Sequence, residues 1–521
     1  MSIYLNTDGA LINYKKLLAS KYFVDKSMII DKLNNLINTS DNYVCITKPR
    51  RFGKSSIINM LGAYYTKGYN SKDIFDKLNI SKSSNYIDNI NKYNVINISF
   101  SKISEKGTSY EDYINMIKVS IINDIKESYP SIDVEKYFSI GDILSITGEQ
   151  FIFIIDEWDY IFNHNLFEEN QKDFLEFLRN LLKDKPYVAF CYMTGVLPIK
   201  RYSEGSALNM FDEYTMINDG VYDNYFGFTE DEVKYLCDKQ KIISFDEISK
   251  WYNGYLTEDG EKIYNPRSVV KALQNGKCRS YWTRTGRLDE VLFYLKYNIG
   301  AVRDDVIEMI NNISVRVKIR KEYSAGQGAP RTREEIYSAM ITYGFLAYHK
   351  GILRIPNKEL MEEFECAIED ESFGYVAELA RNSEDILYAT LNKDENTIVE
   401  KLHSIHNSEI PILQYNNENS LSCVITLAYL AARDDYRVER EEKSGKGYVD
   451  FAFHPKVKGD TAFIIELKKD SSPKVAINQI KEKEYFEKFK KENADSKILA
   501  VGICYNSKTK EHECKIEEIW Y

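Results

Sequence analysis

The sequence predicts an α/β protein: a parallel sheet covered by helices, a helical lid and connector, and a smaller α/β module near the C-terminal end. Three observations lead there. A short apolar run enters a turn-rich loop containing Gly53-Lys54-Ser55 and continues into a helix. A second apolar run, FIFII, ends directly in Asp156 and Glu157. Further on, a helix, three strand-like runs, a second helix and a last strand carry Asp450 and the triplet Glu466-Leu467-Lys468. Strands that are apolar throughout are buried on both faces of a parallel sheet, and active groups emerge at their C-terminal ends.

The first stretch organises the rest. Tyr43, Val44, Cys45 and Ile46 read as a buried strand, and Ile57, Ile58 and Leu61 share one face of the helix that follows. Strand, Gly-Lys-Ser loop and helix is the order of a phosphate-binding loop. Backbone N–H groups of Arg51, Phe52, Gly53, Lys54, Ser55 and Ser56, with the positive helix end, surround an anion. Lys54 reaches the β- and γ-phosphates of ATP, and the Ser55 hydroxyl ligates Mg²⁺. Lys48 stands where the motif asks for its first glycine. A residue with a Cβ enters positive φ only at a cost, so the loop entrance takes another backbone path. The competing reading is a basic turn before an ordinary helix.

The chain has 521 residues, enough for two or three domains. Its 69 basic and 79 acidic residues leave a net charge of −10, which excludes a uniform basic coat for nucleic acid but not a local basic groove. The eight cysteines are scattered without a C-x-x-C pair, which fits a reduced, cytoplasmic compartment and suggests no zinc site. No apolar run approaches membrane-spanning length and no signal-peptide core is present, so a soluble protein is expected.

In order along the chain, residues 22–27 either dock a helix beside the first strand or touch adenine. Residues 64–90, rich in Asn, Ser and Lys, read as surface insertions, residues 95–100 as a strand, and 109–139 as helical. Asp156 is placed to complete the Mg²⁺ shell and Glu157 to polarise a water attacking the γ-phosphate. Asp159 supports this pair or is structural. The strand at 187–193 ends at Thr194, which senses the γ-phosphate or caps the strand.

These motifs continue into Thr194-Gly195-Val196-Leu197-Pro198-Ile199, Tyr225-Phe226-Gly227-Phe228-Thr229, Trp251-Tyr252-Asn253-Gly254-Tyr255 and Tyr264-Asn265-Pro266-Arg267-Ser268. With Val24-Asp25-Lys26-Ser27 and Lys48-Pro49-Arg50-Arg51-Phe52-Gly53-Lys54-Ser55, the ordered series resembles the bacterial AAA-ATPase-like family over roughly residues 3–275 and 395–521. The resemblance implies a C-terminal nuclease-like domain of the PD-(D/E)xK superfamily, related in fold to restriction endonucleases. It also accounts for Lys48, since the family carries Lys or Arg there. The expected division is a P-loop ATPase domain with helical lid over 1–275, a mainly helical connector over 276–395, and the nuclease-like domain over 396–521. Within the lid, Trp251 and Tyr255 are expected as core aromatics. Arg201 and Arg267 either contact phosphate or are ordinary surface arginines. A Gly- and Pro-containing segment at 324–331 reads as a flexible loop.

In the C-terminal module Asp450 lies on the second strand, with Glu466 and Lys468 two apart on the third and so on one face. Two carboxylates and a lysine so placed suit metal-assisted phosphodiester hydrolysis: Asp450 and Glu466 hold Mg²⁺, with Mn²⁺ as an alternative, and Lys468 positions the attacking water or stabilises developing charge. Glu418 or Glu442 offers a further carboxylate, and Gln479 orients the site or the nucleic-acid backbone. His403 and His406 mimic a metal pair but read better as a polar helix face. Lys468, Lys469, Lys474, Lys481 and Lys483 either track a phosphate backbone or form a solvated face.

The function these readings converge on is an ATP-gated, metal-dependent DNA nuclease, acting in defence or in processing of foreign DNA, with homo-oligomer assembly as one route to gating and no membrane partner. The alternative is a nucleotide-dependent switch or scaffold whose C-terminal domain binds DNA or a partner without cutting.

Overall fold

A computed structural model of the chain describes residues 2–102, 109–137, 139–199, 207–218, 220–282, 295, 301–368, 382–406, 418–492 and 497–519. The chain divides into two compact units, Met1–Arg287 with Arg316–Leu360, and Leu288–Val315 with Met361–Tyr521. The stretch 276–395, expected as a connector, is shared between them.

The first unit is built on strands β1 (Tyr43–Thr47), β2 (Asn94–Ser99), β3 (Phe151–Asp156), β4 (Val188–Gly195) and β5 (Asp212–Tyr214). They form one parallel sheet in the order β2-β3-β4-β1-β5. The apolar runs have no polar side because both faces are covered. Phe151, Phe153 and Ile155 pack into one core, whereas Ile152 and Ile154 pack into another on the opposite face. Helices α1 (Gly9–Leu18) and α2 (Lys54–Tyr65) pack against each other. Helices α3 (Tyr110–Ser128) and α4 (Gln171–Leu182) contribute Ile117, Ile121, Phe174 and Leu178 to the core on the other face.

Residues 64–90 are not surface insertions. They form short helical turns that bury Phe75, Leu78, Ile80 and Tyr86 in the core with Tyr64 and Tyr65. Frequent Asn, Ser and Lys disguise apolar residues that face inward from three successive short turns. The segment 324–331 is likewise tied down, since the Ala325 N–H donates to the Pro198 carbonyl at 2.9 Å and its side chain is buried.

The lid comprises α5 (Glu230–Gln240), α6 (Phe245–Tyr252) and α7 (Pro266–Asn275) around a small antiparallel sheet of β6 (Phe228–Thr229), β7 (Tyr255–Leu256) and β8 (Lys262–Tyr264). Its helix starts are written in the sequence. Thr229 and Glu232 form a reciprocal capping box for α5, and Asn265 caps α7 with Pro266 at its first position. Tyr255 is 2% exposed, and Trp251 packs at the edge of the lid core.

Later in the same unit, helix α8 (Arg333–Tyr343) ends at Gly344, and a hairpin of β9 (Ala347–His349) and β10 (Ile352–Arg354) follows.

The second unit contains helices α9 (Glu395–His406) and α10 (Glu418–Ala428), then strands β11 (Tyr436–Ser444), β12 (Gly447–Pro455) and β13 (Ala462–Lys469). Helix α11 (Pro473–Glu482) leads to β14 (Ile498–Asn506) and β15 (Glu511–Ile519). The sheet order follows the chain; β13 and β14 are parallel and the other pairs antiparallel. The expected α-β-β-β-α-β order is present, with β15 added as an edge strand. Its acidic alternation, EHECKIEEI, buries few residues and resembles a solvated segment.

Candidate functional site

The phosphate-binding loop meets the lid around a cavity of about 700 Å³. Positive φ falls at Arg51 (74°) and Gly53 (92°) and not at Lys48, so the left-handed turn missing at the loop entrance is made three residues later. Lys48 is used differently. Its amine is buried and donates to the Thr215 carbonyl at 2.8 Å, fastening the loop entrance to the segment after β5.

Lys54 starts α2 and is 8% exposed. Its amine donates to the Lys48 carbonyl at 2.7 Å and the Pro49 carbonyl at 2.9 Å. Burial pushes its pKa down to about 8, against the opposing pull of Asp159, Asp156 and Glu157. Asp156 ends β3 and shares a hydrogen bond with Ser55. Burial raises its pKa, and the Ser55 bond and Lys54 moderate the rise. Glu157 follows with φ of 51° and lines the cavity. Its N–H donates to Asp156 Oδ1 at 3.0 Å, which sets the angle between the two acids.

Arg51, Gly53, Ser55 and Ser56 line the cavity with Lys54, Asp156 and Glu157. Phe52 also borders it, but its ring is 1% exposed and meets Tyr255 edge-on at 5.2 Å. Thr194 does not reach the cavity. It is fully buried and its hydroxyl donates to the Ile46 carbonyl at 2.8 Å, as a strand-end cap does; Gly195 lines the wall instead. Arg267, at the start of α7, borders the cavity beside Arg50 and Arg51. Burial first, then its two arginine neighbours, lower the Arg51 pKa. Arg201 lies outside the described residues.

Asp159 carries more than the sequence indicates. It is 1% exposed and accepts from the N–H groups of Val196 at 2.9 Å and Leu197 at 2.7 Å. It thereby ties the acid-bearing strand end to the end of β4. An acid three residues beyond Asp156 was the available signal.

In the second unit, Asp450 stands on β12, and Glu466 and Lys468 on β13. Asp450 Oδ2 accepts from the Leu467 N–H at 2.7 Å, which pins it to the neighbouring strand. Lys468 Nζ lies 2.9 Å from Glu466 Oε1, and the Gln479 amide donates to the same oxygen. Helix α11 can bring Gln479 so close because it crosses Gly502, where a Cβ would lie 2.3 Å from the Pro473 carbonyl oxygen. Glu466 is 3% exposed, and its Oε2 is buried without a hydrogen-bond partner. Burial, reinforced by the Asp450 charge, raises its pKa to about 7.

A buried, orphaned carboxylate oxygen beside a second carboxylate fits a divalent cation, which would satisfy both. Among the described residues no group of three or more His, Cys, Asp or Glu gathers for a metal.

Glu442 is engaged elsewhere, by His454 Nε2 at 2.9 Å and by Lys488. The side chains of Glu418 and His406 lie outside the described residues, and His403 is exposed. Lys481 of the basic stretch pairs with Glu517 at 2.5 Å.

Residues 10–203 match the family model described as Predicted AAA-ATPase, and residues 416–515 match that of the PD-(D/E)XK nuclease superfamily. The chain carries an AAA-ATPase-like domain and a PD-(D/E)XK nuclease-like domain. The lysine-bearing loop and Asp156 lie within the first match, and Asp450, Glu466 and Lys468 within the second.

A protein described as uncharacterized, from the vnfD 5′ region of Azotobacter chroococcum mcd 1, is 27% identical over 279 residues, covering 51% of each chain. This chain thus spans about half the length of that curated relative. The Walker-type ATPase of Pyrococcus abyssi aligns with 65% of this chain and 94% of its own, at 14% identity and a TM-score of 0.34. The ORC2 protein of Aeropyrum pernix, in ADPNP–ADP complexes, aligns with 70% of this chain and 94% of its own, at 11% identity and a TM-score of 0.29. Scores of that size establish no shared overall architecture. No helix among the described residues is long and apolar enough to cross a membrane.

Proposed function

We propose that the chain is an ATP-gated DNA nuclease. The observation that carries the nuclease half is the pair Asp450 and Glu466, with an orphaned buried oxygen on Glu466 and Lys468 bonded beside it. That is the donor set a metal-dependent phosphodiesterase uses. Asp450 and Glu466 would hold Mg²⁺ or Mn²⁺, which would supply Lewis-acid polarisation of the phosphate and an acidified water. Lys468 gives up its bond to Glu466 to hold the attacking water or the developing phosphorane charge. Gln479 keeps the Glu466 carboxylate turned into the site.

In the ATPase-like domain, Lys54 leaves the Lys48 and Pro49 carbonyls to grip the β- and γ-phosphates. Ser55 and Asp156 hold the Mg²⁺ of Mg·ATP, and Glu157 orients the water that attacks the γ-phosphate. Arg51 and Arg267, close neighbours on the cavity wall, supply positive charge to the phosphates. Nucleotide state then licenses cutting, through a conformational change or through assembly of several copies, and foreign DNA is the substrate this serves.

Cleavage of linear and circular DNA with Mg²⁺ or Mn²⁺, with and without ATP, tests the reading. Cutting that needs metal and disappears in Asp450→Ala supports the nuclease, and dependence on ATP supports the gate. Absence of cutting under every condition overturns it in favour of a nucleotide-dependent switch or scaffold that grips DNA or a partner.

A further inference from the structure

The β11–β12 hairpin changes faces part-way along. Tyr436 and Arg440 of β11 face α10: the Tyr436 ring meets Phe453 at 6.4 Å, and Arg440 donates to the Ser422 hydroxyl and lies over Phe451. Strand alternation puts Glu442 on that face as well. It stands instead on the opposite one, bonded to His454 Nε2 at 2.9 Å and to Lys488. β12 makes the same switch. Phe451 and Phe453 keep to the α10 side, whereas Val449 joins Ala452, Ile464 and Ile477 in the core beneath α11.

Both switches fall at one rung. The ladder pairs Arg440 with Phe451 and Glu442 with Val449, and skips Glu441 and Asp450 between them. Glu441 has φ of 47°, a left-handed conformation that a residue with a Cβ enters only at a cost. The bend is large. His454 lies five residues along β12 from Val449, the partner of Glu442, which is about 17 Å in a straight strand, yet the two side chains touch. Asp450 sits at the broken rung. It turns to β13 and accepts from the Leu467 N–H at 2.7 Å, just beyond the last rung between those strands, Phe451 with Ile465.

We propose that Glu441 and Glu442 are positioning residues of the nuclease site. The left-handed turn at Glu441 breaks the rung that would keep Asp450 in the ladder. The bond from Glu442 to His454, with Lys488 beside it, latches the bend and carries Asp450 between the strands toward Glu466. The proposal rests on the nuclease reading above and adds what holds its first carboxylate in place. In a straight ladder Asp450 would pair with Glu441, and its carboxylate would stand off one face of the sheet. Bends of this kind re-aim side chains beside active sites, and left-handed residues persist where their surroundings hold them. The latch is that hold, and it gives Glu442 a role other than metal ligand.

Calorimetric titration of the full chain with Mn²⁺, its Tm, and hydrogen exchange at the Leu467 amide test this on four variants. Glu441→Gly binds Mn²⁺ within about twofold of wild type, because glycine takes positive φ freely. Glu441→Val weakens Mn²⁺ roughly tenfold, the scale of one disfavoured left-handed residue. Glu442→Ala weakens it roughly tenfold or more, the scale of a lost hydrogen bond to a charged group, and Glu442→Gln, which can still bond to His454 and Lys488, recovers most of the affinity.

Equal losses in Glu442→Gln and Glu442→Ala overturn the latch in favour of metal ligation. A lowered Tm with unchanged Mn²⁺ affinity in Glu441→Val and Glu442→Ala makes the bend merely structural and also overturns the proposal. If wild type itself binds no Mn²⁺, the nuclease reading falls and the Leu467 amide decides the bend alone. Exchange about tenfold faster in Glu441→Val and Glu442→Ala than in wild type and Glu441→Gly supports it, and equal exchange in all of them overturns it.

Discussion

The Cβ position of Gly344 lies 2.8 Å from the Pro49 side chain, so the end of a helix nearly three hundred residues downstream sits directly on the phosphate-binding loop. Gly344 also has φ of 83°, and its carbonyl accepts from the Tyr255 hydroxyl at 2.5 Å. Tyr255 in turn meets Phe52, whose carbonyl accepts from the Gly227 N–H at 3.0 Å. The loop is therefore clamped at Pro49 by residues after α8 and at Phe52 by the lid.

Gly344→Ala adds a methyl where neither space nor φ accepts one. The expected loss is about 1–3 kcal/mol of stability from crowding alone. Nucleotide affinity falls as well, although residue 344 does not border the cavity. Thermal unfolding and ATP titration of the variant check both. Unchanged ATP affinity in a destabilised protein would remove the clamp's role in setting the loop.

Lys54 gives a pH prediction. Its pKa is lowered to about 8, burial being the main cause. A triphosphate favours the ammonium form and raises that pKa again. Binding near pH 8 should therefore take up a proton, and uptake should vanish near pH 6, where the amine is already charged. Titrations in buffers of different ionisation enthalpy measure this, and Lys54→Met should abolish the uptake.

Glu466 gives the opposite kind of dependence. Its folded pKa, about 7, lies above the ordinary 4.5, through burial and then the Asp450 charge. The folded form thus holds a proton that the unfolded form releases, a stabilising contribution present below pH 4.5 and lost as pH rises through about 7. Glu466→Gln should raise the Tm of metal-free protein most at pH 8, less at pH 6 and hardly at all near pH 4. Mn²⁺ affinity of the wild type should climb through pH 7 as the carboxylate ionises, and the variant should lose that affinity at every pH.

Asp159 separates bracing from chemistry. Asp159→Ala leaves two buried N–H groups, of Val196 and Leu197, without their acceptor. The expected cost is about 2–6 kcal/mol, since each of the two orphaned buried donors costs on the order of 1–3. Asp159→Asn keeps one acceptor and should recover part of the Tm. If neither variant shifts the unfolding transition, the strand ends are held by something else.

Much of the nucleotide end was legible because its signals are local. An apolar run, a Gly-Lys-Ser turn and a helix start within a few residues of one another, and Asp156 closes a strand whose every residue is apolar. Asp450 with Glu466 and Lys468 was legible for the same reason, since strand alternation alone puts the last two on one face. Phe52 and Thr194 were harder. Both sit in motifs, yet one ring turns into the lid and one hydroxyl caps a strand, and no local pattern separates those fates from ligand contact.

By itself the sequence determined the strand, loop and helix order, the acids at strand ends and the two-module α/β class, because periodicity and turn chemistry act over a few bonds. Only the tertiary structure decided that Gly344 covers Pro49, that Asp159 braces β4, and that Glu442 joins His454 rather than Glu466. These pairings join residues far apart in the chain, or turn on which neighbour a side chain reaches. Packing settles them, and no spacing in the sequence records it.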